Sequence, residues 1–163
     1  MRVSYQYRIK LNTEQKRRLN HIRRICQYLY NYLLADRLSW REQNRCAVNS
    51  CPLVCHLPEL RDNPTYYSQK AYLPLLKKDL IKVDWSGELL DLSKVYSQVL
   101  QDVVKRVDLA FKRYISGDKN GKRSGKPRFK SEANFKSFTY TQVLDNWLKR
   151  SLQKRKVVKL DVN

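Results

Sequence analysis

The chain has 163 residues, of which 34 are Lys or Arg and 15 are Asp or Glu, giving a formal net charge of +19 at pH 7. With 42% apolar residues, this length predicts one domain, or a small domain carrying an insertion, and excludes a disordered basic tail. The excess of cations predicts an anionic macromolecular partner. No apolar run approaches the roughly 18 residues of a membrane span and no secretory leader is visible, so a cytoplasmic, nucleoid-associated location is expected.

The first eleven residues alternate, with Val3, Tyr5, Tyr7, Ile9 and Leu11 on one face and Arg2, Ser4, Gln6, Arg8 and Lys10 on the other. That period predicts a half-buried strand, spanning residues 1–12 with its approach to the next element, whose basic face is either a solvated edge or a phosphate-facing surface. Asn12-Thr13 then offers a cap to a helix over 14–43. Its apolar stripe is Leu19, Ile22, Ile25, Cys26, Leu29, Leu33 and Leu34, with Arg17, Arg18, Arg23 and Arg24 largely off it. Residues 44–68 read as irregular because Pro52, Pro58 and Pro64 interrupt them. Pro74 suits the first turn of a short helix ending near Val83. Ser93 suits the cap of a helix over 94–116, striped by Val95, Val99, Val103, Val107, Ala110, Phe111 and Tyr114. The two long amphipathic helices are expected to pack together in a small bundle.

Residues 116–132 combine Gly117, Gly121 and Gly125 with Lys119, Lys122, Arg123, Lys126, Arg128 and Lys130. Such a stretch is either a loop that wraps phosphates or a solvated linker, and composition alone does not choose. A second alternation, with Phe138 and Tyr140 opposite Ser137, Thr139 and Thr141, predicts a strand able to pair with the N-terminal one. The cysteines lie at 26, 46, 51 and 55. Cys26 reads as a buried thiol. Cys46, Cys51 and Cys55 with His56 lack the paired C-x2-C spacing of structural zinc sites, so reduced thiols are expected there.

Taken in order, several short runs form a recognisable series. They are Tyr7-Arg8-Ile9-Lys10-Leu11 with Gln15, then Cys26 followed by Tyr30-Asn31-Tyr32-Leu33-Leu34, with Gln27 where an Arg is usual. Leu73-Pro74-Leu75-Leu76-Lys77 and Ser97-Gln98-Val99-Leu100-Gln101 come next. Ala110-Phe111-Lys112-Arg113-Tyr114, Gly125-Lys126-Pro127-Arg128-Phe129-Lys130 and Ser137-Phe138-Thr139-Tyr140 complete it. Over residues 1–141 the chain resembles the N-terminal part of the TnpB/OrfB proteins of bacterial transposons, relatives of type V CRISPR effectors. The resemblance implies an α+β, mainly α fold: a partial wedge-type β-barrel interrupted by a helical recognition domain. The implied division is a first wedge strand at 1–12, a helical, helix-turn-helix-like insertion at 13–116, and a basic loop with a returning strand and divergent tail at 117–163.

The resemblance further implies two partners, a transposon-derived guide RNA and double-stranded DNA carrying a short motif beside the target. Tyr67, Lys94, Gln98 and Thr139 match the family's motif-reading positions. Lys94 and Gln98, four apart at an expected helix start, would share a face from which a major groove can be read. The plain alternative is a pair of solvated first-turn residues. Arg2, Arg8, Lys10, Lys126, Arg128 and Lys130 are the expected contacts to the nucleic-acid backbone. The family's chemistry lies in a downstream RuvC-like nuclease region that uses divalent metal and zinc, and the chain reads as truncated before it. The carboxylates Asp79, Asp84, Glu88, Asp91, Asp102 and Asp108 are scattered among cations, so neither nuclease activity nor a bound cofactor is expected. The remaining readings are a non-catalytic regulator of transposition and a simple helix-turn-helix DNA-binding protein.

Overall fold

The computed structural model describes residues 11–50, 62–82, 89–140 and 158–161, with side chains for 11–42, 62–79 and 90–140. In chain order the elements are α1 (Thr13–Ser50), α2 (Tyr66–Leu76), β1 (Leu80–Lys82), β2 (Leu89–Asp91), α3 (Ser97–Ile115), β3 (Ser137–Tyr140) and β4 (Val158–Asp161). Single 3-10 turns at Leu92–Lys94 and Glu132–Asn134 precede α3 and β3.

α1 begins where the sequence placed its cap. Asn12 Oδ1 accepts from Thr13 N at 2.6 Å, and Gln15 Oε1 accepts from Asn12 N at 3.0 Å, so two otherwise unpaired backbone donors are satisfied. The helix has 38 residues, a rod of about 57 Å, and runs through residues 44–50, which were expected to be irregular. Ile25, Cys26, Leu29, Tyr30, Leu33, Leu34 and Leu38 are buried along one side, and Leu19 and Ile22 pack at the margin. Steps of three and four keep these side chains on one stripe, and each fully buried Leu contributes about 1.5–3 kcal/mol.

The two other helices start later or earlier than Pro74 and Ser93 predict. α2 is nucleated by Thr65, whose Oγ1 accepts from Ser68 N at 3.2 Å while Ser68 Oγ accepts from Thr65 N at 2.9 Å. Pro74 therefore lies inside the helix rather than in its first turn. Before α3, Asp91 Oδ1 accepts from Ser93 N at 2.8 Å and shapes the 3-10 turn; hydrogen bonds from the Ser93 side chain and then its backbone hold the Asp91 carboxyl below its usual range. Val95 and Tyr96 are then extended, and the helix starts at Ser97. Its stripe of Val99, Leu100, Val103, Val104, Val107 and Phe111 faces α1 and α2.

The expected barrel is not formed by the described residues. β1 pairs with β2 and β3 pairs with β4 in two separate antiparallel sheets. The partner found for β3 is a strand near the C-terminus, in the register Ser137↔Asp161 and Tyr140↔Val158, not the N-terminal strand, whose residues 1–10 lie outside the described set. β3 is only four residues long, and it packs on α1 and α3, where Phe138 is fully buried and Phe135 nearly so. Helices thus cover the apolar side that a barrel would have closed upon. The fold is mainly helical with a minor β component.

Two polar devices lock this core. Arg37 on α1 donates from Nε to Gln69 Oε1 at 2.9 Å and from Nη1 to Asp108 Oδ1 at 3.0 Å, so one guanidinium joins all three helices. Gln69 returns its amide to Leu33 O at 3.1 Å and to Asp36 Oδ2 at 3.0 Å. On the other side of α3, Arg106 donates to Ser137 O and to Thr139 Oγ1, both at 2.6 Å, while its Nε holds Asp102 at 2.8 Å. A guanidinium paired with a carboxylate can be carried inside a fold that would not tolerate it alone, although Arg37 Nη2 is buried without a hydrogen-bond partner among the described residues.

Cys26 is fully buried between these devices. Burial pushes its thiol up to about 12, with Arg106 opposing the shift and Asp102 adding to it. A raised value means that the folded protein keeps the proton, so this contribution to stability is intact below about pH 9 and is lost as pH rises through about 12. At pH 8 the Cys26 thiol is therefore expected to resist iodoacetamide in the folded protein and to react after denaturation, as read by peptide mass spectrometry. Modification of Cys26 at equal rates in both states would contradict the burial. Cys51, Cys55 and His56, and the side chain of Cys46, lie outside the described residues. Among the described residues no group of three or more His, Cys, Asp or Glu is arranged to hold a metal ion, and no helix is long and apolar enough to cross a membrane.

Candidate nucleic-acid interface

The glycine- and lysine-rich stretch after α3 is an ordered strap. Gly117 (φ +88°) and Gly121 (φ +75°) turn the chain back on itself, and a Cβ on Gly117 would meet Gly121 O at 3.0 Å. Asp118 closes the turn, its Oδ1 accepting from Asn120 N at 2.9 Å and Lys122 N at 3.0 Å. Ser124 N then donates to Arg113 O at 3.0 Å, stitching the strap to the end of α3.

Farther on, α1 grips the strap by its main chain. Asn31 Oδ1 accepts from Lys130 N at 2.8 Å and Asn31 Nδ2 donates to Lys130 O at 2.9 Å, as a neighbouring β-strand would. Gln27, one turn earlier, donates to the same carbonyl at 2.7 Å. Arg23, a turn earlier again, donates to Glu132 O at 2.6 Å and holds the Glu132 carboxylate at 3.1 Å. Arg23, Gln27 and Asn31 thus form a ladder at four-residue steps along one helix face. Gln27, standing where the resemblance has an Arg, still serves as a donor.

The expected phosphate binders on this strap have three different settings. Lys126 pairs with Glu42 at 2.9 Å in the open, Arg128 is exposed, and Lys130 is half-buried with its ammonium 5.3 Å from the Tyr30 ring centre. Beside them lies an open depression of about 400 Å3 whose wall includes Arg113, Arg128, Phe129 and Lys130. Arg2, Arg8 and Lys10 lie outside the described residues.

The expected motif readers are not presented alike. Tyr67, in the first turn of α2, is 78% exposed and borders a crevice of about 410 Å3 between α2 and the start of α3, with Lys70, Lys77, Ser97 and Gln101. Lys77 Nζ bridges its two walls by donating to Ser97 Oγ at 2.8 Å. Lys94 is exposed but belongs to the 3-10 turn, whereas Gln98 is a half-buried first-turn residue of α3 that is already engaged within the fold. Since two extended residues separate them, the shared helical face inferred from their spacing does not exist. Thr139 is 9% exposed with its hydroxyl held by Arg106, on β3 rather than at the crevice. Lys70, Lys77, Gln101, Arg113 and the Arg23–Gln27–Asn31 ladder were not read from the sequence as site or docking residues. The one available signal was the polar triplet at four-residue steps beside an apolar stripe.

These elements define a strongly basic, mainly helical α+β module with a docked cationic strap. Residues 1–46 match the profile of a helix-turn-helix domain of OrfB proteins from IS605-type elements. Within the described part of that match, residues 13–46 form one uninterrupted helix and not two joined by a turn. No curated protein matches the chain.

Proposed function

We propose that this chain is the nucleic-acid-binding, non-cleaving N-terminal portion of an OrfB/TnpB-type transposon protein, which holds a transposon-derived guide RNA and reads a short DNA motif beside the target. The observation that carries this reading is the cationic strap, which α1 docks by bonds to the main chain of Lys130. A loose linker would lose conformational entropy on binding phosphates, and a docked strap has already lost it. The family match at residues 1–46 supports DNA as a partner. In this reading Arg2, Arg8, Lys10, Lys126, Arg128 and Lys130 contact phosphates. Tyr67, Lys94 and Gln98 meet base edges on the side of the crevice, and Thr139, held by Arg106 on β3, lies near the same DNA.

Phosphate contacts and base contacts separate in a salt titration. Arg128→Ala is expected to weaken binding to every duplex and RNA alike, and to flatten the slope of log affinity against log salt by about 0.7–0.9. Gln98→Ala is expected to leave that slope intact and relax preference among duplexes by about 1–3 kcal/mol. Anisotropy titrations from about 50 to 200 mM salt read both. An equal loss on all duplexes for Gln98→Ala, or an unchanged slope for Arg128→Ala, would remove the respective assignment. A simple helix-turn-helix DNA-binding protein remains the second reading, favoured by the matched profile. Against it, α2 and α3 are separated by a β-ribbon rather than a three- or four-residue turn. Tight sequence-specific duplex binding without RNA would support that reading instead.

A further inference from the structure

Phe129 is 58% exposed, although the next residue of the strap, Lys130, is anchored. Lys130 is held at both backbone atoms by Asn31 and Gln27, and Pro127, two residues earlier, fixes its own φ. The ring is therefore presented from a braced backbone, beside an open depression that also takes in Arg113, Arg128 and the rim of Tyr30. An isolated exposed aromatic is commonplace on a protein surface. This one differs in its surroundings: it shares the depression with two exposed guanidinium-bearing residues, Arg113 and Arg128, and Ser124 and Asn134 line it as well. A flat apolar face, flanking cations and neutral hydrogen-bonding groups together match an unpaired base, its two phosphates and a ribose 2′-hydroxyl. A duplex keeps its bases stacked inside and offers nothing for the ring to cover.

We propose that Phe129 is a stacking platform for one unpaired base of single-stranded RNA, with Arg113 and Arg128 on the flanking phosphates. This rests on the nucleic-acid-binding reading above and names the strand and the position. The test uses the full chain with a short single-stranded RNA carrying 2-aminopurine, the DNA strand of the same sequence, and an RNA duplex of that sequence. Phe129→Ala is expected to weaken binding of the single-stranded RNA about 5- to 100-fold and to abolish the quenching of the 2-aminopurine, while changing duplex affinity by less than about twofold. Phe129→Trp should keep both affinity and quenching. Because the side chain is exposed, the melting temperature of each variant should match that of the parent, which separates lost contact from lost fold. An equal loss on single strand and duplex, or no loss on either, would overturn the platform. DNA that binds and quenches as well as RNA would overturn the assignment to RNA. A parent chain that bound none of the three would overturn the functional reading itself, whereas one that bound RNA indifferently to Phe129 would overturn only this inference.

Discussion

Asp108→Ala is expected to cost about 3–5 kcal/mol of stability, a large part of what a domain of this size commonly has. The substitution strands the Arg37 guanidinium among the three helices, since the Arg37 side chain is 5% exposed and Asp108 is its only carboxylate partner among the described residues. Losing the anion also leaves Gln69 bonded to an uncompensated cation. Lys112 forms the second ion pair of Asp108 at 2.8 Å, but its side chain is 68% exposed. Lys112→Ala should therefore cost less than about 1 kcal/mol. Replacing the pair together, as Arg37→Met with Asp108→Leu, should recover much of the loss because no charge is then buried. Urea unfolding followed by far-ultraviolet circular dichroism gives all three values. Equal costs for Asp108→Ala and Lys112→Ala would show that the buried pair does not hold the helices.

Phe138→Ala should be comparably severe, at about 3–5 kcal/mol, through a different route. Phe138 has no exposed surface, and its ring meets Tyr140 edge-on with centroids 5.7 Å apart. Truncation removes transfer energy and leaves a cavity under β3, beside the point where Arg106 grips Ser137 and Thr139. Phe129→Ala, nine positions earlier and exposed, should shift the urea midpoint by no more than about 0.5 kcal/mol in equivalent stability. A Phe138→Ala variant as stable as the parent would mean that the strand is a surface appendage.

The contrast between these two phenylalanines marks how far the sequence could be read. Residues whose partners lie a turn away were legible: the cap at Asn12 and the Leu19–Leu34 stripe follow from local spacing alone, while its extension to Leu38 was not read. Boundaries failed where two local signals competed. Pro74 advertised a helix start, yet the Thr65–Ser68 pair satisfies more backbone donors and wins. Ser93 advertised another, yet Asp91 captures its amide and diverts it into a 3-10 turn. The barrel expectation came from the family likeness, and strand pairing over long separations leaves little local trace. The strap was undecidable for the same reason, because Asn31 and Lys130 are 99 residues apart.

The ladder on α1 grips amides and carbonyls, and side chains of the strap enter it only at Glu132. Backbone atoms are the same whatever residue carries them. Exchanging Arg128 or Phe129 therefore leaves the docking bonds of the strap in place, and the surface it displays can change while its seat does not. In the language of engineering, the strap is an interchangeable faceplate on a fixed bracket. Specificity for one nucleic acid or another can be rewritten there without reopening the problem of folding.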